Sequence, residues 1–130
     1  MKDAYLEIAD RSLDVAKLCS EAGINESCVF HAYHAFESVG GAFIEHIGQH
    51  YPEGHKARVN MFTSEARRIN SERCVGAVAM ALTAYRNQML YPKKNADGTI
   101  TVPKNVISKH DAFRLRARAA HIVRLIHKNT

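Results

Sequence analysis

The sequence predicts an all-α fold, an up-and-down bundle of four to five helices, and three observations carry that expectation. Apolar residues recur three and four positions apart along most of the chain, the spacing of one helical face. Glycine, proline and small capping residues interrupt this rhythm at a few short places, as helix ends do. Only one stretch, Lys93 to Asn105, reads as something other than helix or turn. At 130 residues the chain suits a single domain spanning 1–130, with one core, no internal repeat and no linker.

The first helix runs from about Lys2 to Glu21, with Tyr5, Ile8, Leu13 or Ser12, Ala16 and Cys19 or Leu18 facing inward. It stops at Ala22-Gly23, where glycine accepts the left-handed backbone that ends a helix. Asn25 or Ser27 caps the second helix, which reaches about Gln49 or His50. Along it Val29, Tyr33, Phe36, Gly40, Phe43 and Ile47 follow in steps of four and three, the seam of a bundle helix. Ala32, Ala35, Val39 and Ala42 widen that face, and Gly40-Gly41 lets another backbone come close. This helix is expected at the centre. "YPEGHK", Tyr51 to Lys56, is a turn, followed by a shorter third helix with Ala57, Met61, Phe62, Ala66 and Ile69 on its apolar face.

Ser71, with Glu72 behind it, opens a fourth helix expected to run to Tyr91-Pro92, because the residue before a proline is driven out of the helical region. Val75, Val78 or Ala79, Leu82, Arg86 and Met89 share one face of it, so an arginine stands where a leucine would suit the pattern. Arg86 is therefore a structural ion pair in a polar core, a group that faces a ligand or phosphate, or a pair at a dimer interface. Lys93 to Asn105 is a polar excursion with a turn at Asp97-Gly98 and a short extended piece over Thr99 to Val102, which permits a hairpin arm. Ser108 caps the last helix, Lys109 to about Lys128, with Asp111 in the first turn, where a negative charge suits the helix dipole.

That last helix is two-faced. Arg114, Arg118, His121, Arg124 and Lys128 form a basic stripe, while Phe113, Leu115, Ala119, Ala120, Ile122, Val123 and Ile126 cover most of the other side. The stripe suits a solvated surface or a surface that contacts phosphates. Arg116 falls inside the apolar arc, so it either snorkels to water or meets an acid such as Glu37 or Glu45 across the bundle.

Eighteen Lys and Arg against thirteen Asp and Glu leave a net charge of +5, compatible with an acidic partner such as nucleic acid. Cys19, Cys28 and Cys74 are odd in number and not spaced as a zinc or redox pair, which suggests reduced thiols in a cytoplasmic protein. No apolar run approaches a membrane span and the first residues are too charged for a signal peptide, so no membrane partner is expected. Phosphate-loop, dinucleotide-binding and nucleophile-elbow patterns are missing, which argues against a self-contained nucleotide-hydrolysing or acyl-transfer site, and no cofactor is implied. His31 and His34 lie to one flank of the second helix's seam and read as surface residues. His46 and His50, one turn apart, lack the glutamate of a metalloprotease motif, so no metal site is expected. His110 reaches Arg86 only if the excursion folds back.

Four blocks in order, "FHAYHAFESVGGAFI", "EGHKARVNMF", "YRNQMLYP" and "AFRLRARAAHIVRLI", resemble the HEPN family, the higher eukaryote and prokaryote nucleotide-binding domains. The resemblance matches an aromatic-alanine start to the second helix, then a His-Lys element and a phenylalanine at His55, Lys56 and Phe62. An arginine followed by a polar residue, Arg86-Asn87, and a last helix rich in alanine and basic residues complete it. It implies a bundle that commonly dimerises and is linked to RNA or nucleotides.

In the family's ribonuclease members the arginine is followed, five to seven positions on, by a histidine, whereas those positions after Arg86 hold Tyr91, Pro92 and Lys93. An arginine fork suits a phosphate, and an imidazole can move the proton of a ribose 2′-hydroxyl near neutral pH. A phenol is a poor general base there, although it can donate a hydrogen bond or stack on a base. The resemblance thus implies a homodimeric, catalytically silent or divergent module that binds RNA, a nucleotide or a protein through Arg86, Asn87, Tyr91 and the basic stripe. The alternative is a metal-independent ribonuclease, the toxin of a toxin-antitoxin pair whose partner is a small nucleotidyltransferase, with Tyr91 or a distant histidine as the base. Lys93 stands where some members carry a tyrosine that such a partner modifies, so that regulation is not expected.

Overall fold

The computed structural model describes all 130 residues. Five α-helices build it: α1 (Lys2–Glu21), α2 (Asn25–His46), α3 (His55–Glu65), α4 (Glu72–Thr83) and α5 (Lys109–Asn129). Single turns of 3-10 helix occupy Ala66–Ile69 and Pro103–Asn105. The polar excursion does form an antiparallel hairpin, β1 (Lys93–Lys94) on β2 (Ile100–Thr101), closed by a turn in which Gly98 has φ 86° and Asp97 accepts from the Thr99 N–H at 2.9 Å. No helix is long and apolar enough to cross a membrane.

α2 is the centre and packs against α1, α3, α4 and α5. Every residue from Ala35 to Ile44 is buried, so this helix is enclosed around its whole circumference rather than along one stripe. Phe36, Phe43 and Phe62 form its densest contact, with Phe62 lying 5.3 Å and 6.1 Å between ring centroids from the other two. The two glycines decide how close the neighbours come. A Cβ on Gly40 would sit 2.7 Å from Phe62 Cδ2 and 2.8 Å from Tyr51 Oη, and one on Gly41 would sit 2.9 Å from the Tyr5 ring. The close approach predicted at Gly40-Gly41 is therefore made by side chains of α3, the turn before it and α1, not by a bare backbone.

The seam of α2, the Gly23 stop after α1 (φ 75°), and the Ser108 cap of α5, whose hydroxyl accepts from the Asp111 N–H at 3.1 Å, match the sequence expectations. Several details differ. Ile24, not Asn25 or Ser27, stands at the α2 N-cap, and no side chain caps that end. α2 stops at His46, where Gly48 (φ 76°) turns the chain. Along α1 the buried residues are the small Ala9, Ser12 and Ala16, while Ile8 and Leu18 are exposed. Val59 rather than Ala57 points inward on α3.

The largest difference is the end of α4, which is Thr83 instead of Tyr91. The Thr83 hydroxyl donates to the Ala79 carbonyl at 2.7 Å, and the chain tightens into turns in which Tyr85 N bonds Leu82 O and Arg86 N bonds Thr83 O. Such i→i−3 bonds wind at about three residues per turn. Val75, Val78, Ala79, Leu82 and Met89 remain buried, as their spacing predicts.

Candidate functional site

α2 carries one carboxylate inside its enclosed stretch, Glu37, which is 5% exposed and would be costly there without partners. Three side chains answer it, and a fourth holds the backbone carbonyl of the same residue. Tyr33, one turn earlier on the same helix, donates from Oη to Glu37 Oε2 at 2.9 Å. His55 Nδ1, in the first turn of α3, lies 2.6 Å from the same oxygen. Arg58 Nη1 donates to Oε1 at 2.8 Å, and its Nε donates to the Pro52 carbonyl at 2.7 Å, which ties the turn down. Tyr51 Oη donates to the Glu37 backbone carbonyl at 2.6 Å, with the Arg58 guanidinium 5.1 Å from the Tyr51 ring centroid.

Burial acts to raise the Glu37 carboxyl, but the hydrogen bonds from His55, Arg58 and Tyr33, with the charge of His55, outweigh it and hold the group below its ordinary range. Burial and then the Glu37 charge push the Tyr33 and Tyr51 phenols well above theirs. The hydrogen bond to Glu37 raises Arg58 further. An ionised carboxylate only accepts, so the hydrogen bond places a proton on His55 Nδ1 and leaves Nε2 to hold the lone pair of the neutral ring. The imidazole side chain is half exposed and lies at the edge of a hollow of about 340 Å³.

Tyr33, His55, Lys56, Val59, Asn60, Thr83, Arg86 and Asn87 line this hollow, so α2, α3 and the end of α4 all contribute, and no acidic side chain is among them. Tyr33 stands between the two functional ends. Its ring centroid is 6.3 Å from that of His55 and 5.6 Å from the Arg86 guanidinium carbon. Arg86 Nη1 donates to Asn87 Oδ1 at 3.2 Å, while its Nε is shielded from solvent and bonded to nothing. The structural ion pair considered for Arg86 is not formed, because the only buried carboxylate nearby is already taken by His55 and Arg58. Arg86 does turn inward, onto an aromatic face.

The other sequence candidates lie elsewhere. Tyr91 is exposed and lines a separate hollow with Gln88, Lys93, Asn95, Thr101 and Val106. Arg114, Arg118, His121, Arg124 and Lys128 are all exposed on α5, and none reaches the Arg86 pocket. Arg114 and Arg118 instead border a hollow of about 310 Å³ against Ala81, Ala84 and Tyr85, on another side of α4. Arg116 meets neither Glu37 nor Glu45. Its guanidinium lies 5.6 Å from the ring centroid of Phe113, which is exposed rather than part of the apolar arc. His34, His46, His50 and His110 are exposed, and no three His, Cys, Asp or Glu side chains are grouped to hold a metal. Cys28 is buried, its Sγ donates to the Ala112 carbonyl, and burial raises its thiol, as suits a packing residue.

Glu37, Arg58, Tyr33 and Asn60 were not recognised from sequence as parts of one site. The available signal was the Tyr33 and Glu37 pair, one turn apart on an otherwise apolar seam. The architecture and the pocket define a helical bundle whose central carboxylate orients a histidine beside an unpaired arginine. The HEPN domain model matches residues 3–129, essentially the whole chain, and the protein belongs to the HEPN domain family. No curated protein and no solved structure matches it.

Proposed function

We propose that the chain binds a phosphate group of RNA or of a nucleotide in the pocket between α3 and the end of α4. The observation that carries this reading is the Arg86 guanidinium, which lies on the Tyr33 ring, has a shielded Nε without a partner, and shares an acid-free hollow with Lys56 and His55. Two fixed cations and the amides of Asn60 and Asn87 offer the donors that phosphate oxygens accept, and the arginine fork supplies two of them in one plane. A guanidinium with no carboxylate at hand is an expensive arrangement for a core and a useful one for a visiting anion.

Family membership supports the choice of ligand class, since HEPN domains are linked to nucleotides and RNA. A homodimer is part of the same proposal: α4 presents Met80, 77% exposed, next to a hollow lined by Gly76, Ala79 and Thr63, so a second copy has an apolar face to cover. Binding of labelled single-stranded RNA and of a nucleoside triphosphate, measured for the wild type and Arg86→Ala at low and moderate salt, tests the pocket. Affinity that falls with Arg86→Ala supports it, and equal affinity of the two proteins refutes it.

A further inference from the structure

Large hydrophobic side chains left in solvent gather on one short stretch, where Met1, Ile8, Val15, Leu18 and Ile24 are all exposed, on α1 and at its two ends. Scattered singly, such groups would need no explanation. Here they are ordered. Ala4, Ile8, Arg11, Val15, Leu18 and Ala22 follow in alternate steps of four and three, every one of them exposed, and form a single ridge along the helix. The turn at Gly23 then bonds the Ile24 N–H back to the Cys19 carbonyl at 2.8 Å, at the end of the same ridge. α1 buries its small residues Ala9, Ser12 and Ala16, so it carries its larger aliphatic side chains on the face that nothing covers.

The ridge has a charged flank. Glu7, Asp14 and Glu21 repeat every seven residues, each immediately before a ridge position, and all three are exposed and free of ion pairs. Asp3 and Asp10 lie further round the same side, with Asp10 held by His127 at 2.9 Å. An apolar seam with charges of one sign beside it is how one helix selects another in a coiled coil, and a lone polar residue within the seam, here Arg11, fixes the register.

We propose that this face of α1 docks an amphipathic helix of another protein, one with aliphatic residues in its seam, Lys and Arg on its flank, and a carboxylate placed to meet Arg11. Complementary charge favours that occupant over the others. A second copy of the chain would bring the acids of its own α1 against these, and its α5, though basic, exposes Phe113 as its one large apolar side chain. Nucleic acids and anionic lipid surfaces are repelled by the same acids. The face is separate from the phosphate pocket, to which α1 contributes no residue.

The test uses the full chain and a fluorescent synthetic helix about three heptads long, with leucine in its seam, lysine on its flanks and one central seam glutamate, read by anisotropy. One control peptide carries glutamate on the flanks, and another has leucine in place of the central glutamate. The lysine-flanked peptide should bind, less tightly as salt rises, and the glutamate-flanked one should not. Leu18→Asp should weaken binding roughly tenfold or more, the scale of losing a central apolar anchor. Glu7→Lys combined with Asp14→Lys should reverse the preference between the two flank chemistries, and Arg11→Leu should remove the advantage of the central glutamate. These positions are in solvent, so the thermal transition of each variant should stay near that of the wild type. No binding of the lysine-flanked peptide, or binding indifferent to Leu18→Asp and to charge reversal, overturns the assignment. Sedimentation of the protein alone supplies the remaining arm: a dimer that Leu18→Asp turns into a monomer gives the face to a second copy and overturns it too.

Discussion

The pocket around Glu37 and the stripe along α5 both concentrate charge, and they do so in opposite ways. In the pocket, His55, Arg58 and the Tyr33 phenol, from α2 and α3, converge on one buried carboxylate, and the Tyr51 phenol from the turn between those helices holds the backbone carbonyl of the same residue. On α5, Arg114, Arg118, His121, Arg124 and Lys128 stand in solvent, and none of them forms an ion pair. The first arrangement is held by desolvated hydrogen bonds that cost much to break, and the second by nothing but the helix that displays it. Charge density alone therefore does not locate a site in this protein. Enclosure and convergence do.

The widest separation between the two regions should appear in stability. Glu37→Ala strands Tyr33 and Arg58 and is expected to cost about 3 kcal/mol, the scale for breaking a buried, hydrogen-bonded pair, while Arg124→Ala should stay within about 0.5 kcal/mol. Chemical denaturation of both variants measures the contrast, and equal losses would erase it. Gly40→Ala comes next, because its methyl would meet the enclosed Phe62 ring and Tyr51. Overpacking of this kind costs roughly 1–3 kcal/mol. Gly41→Ala should cost less, since the half-buried Tyr5 ring has room to move.

A smaller effect is expected in ligand affinity. Arg86→Ala should weaken RNA or nucleotide binding roughly tenfold, about 1.4 kcal/mol, at moderate as well as low salt. Arg118→Ala should weaken it a few-fold at low salt only, as expected of a screened surface charge. A reversed order in titrations of the two variants would move the binding surface to α5.

The mildest expectation concerns pH. The folded Glu37 titrates below its ordinary range, so its contribution is complete above the unfolded carboxylate pKa, about 4.3, and is lost as the pH falls through the lower folded value. Tyr33 and Tyr51 are raised, so theirs is complete below the ordinary phenol value, about 10, and fades as the pH climbs beyond it. Thermal midpoints of wild type and Tyr51→Phe should differ in steepness on the alkaline side, and parallel curves would contradict the assignment of that shift.

Much of the fold was legible because the signals are local. The seam of α2, the glycine after α1, the serine before α5 and the turn at Asp97-Gly98 all act within a helical turn or a hairpin loop, a range over which residue spacing reports geometry directly. Family-like blocks also marked His55, Lys56 and Arg86. The end of α4 was not legible, because a threonine hydroxyl and a few tightened turns compete with continued helix by small margins that periodicity does not register.

The sequence by itself determined an all-α chain, a central second helix and an inward Arg86 without a hydrophobic role. Only the tertiary structure decided what that arginine meets. Glu37 lies 18 residues from His55 and 21 from Arg58, and Arg86 joins them from a third segment across the Tyr33 ring. Contacts at such separations depend on how α3 docks, and that docking depends on the missing side chain at Gly40, which admits Phe62 and Tyr51 against α2. Spacing along one helix carries no information about which distant group fills a gap in it, so the pocket came into being only when the helices packed.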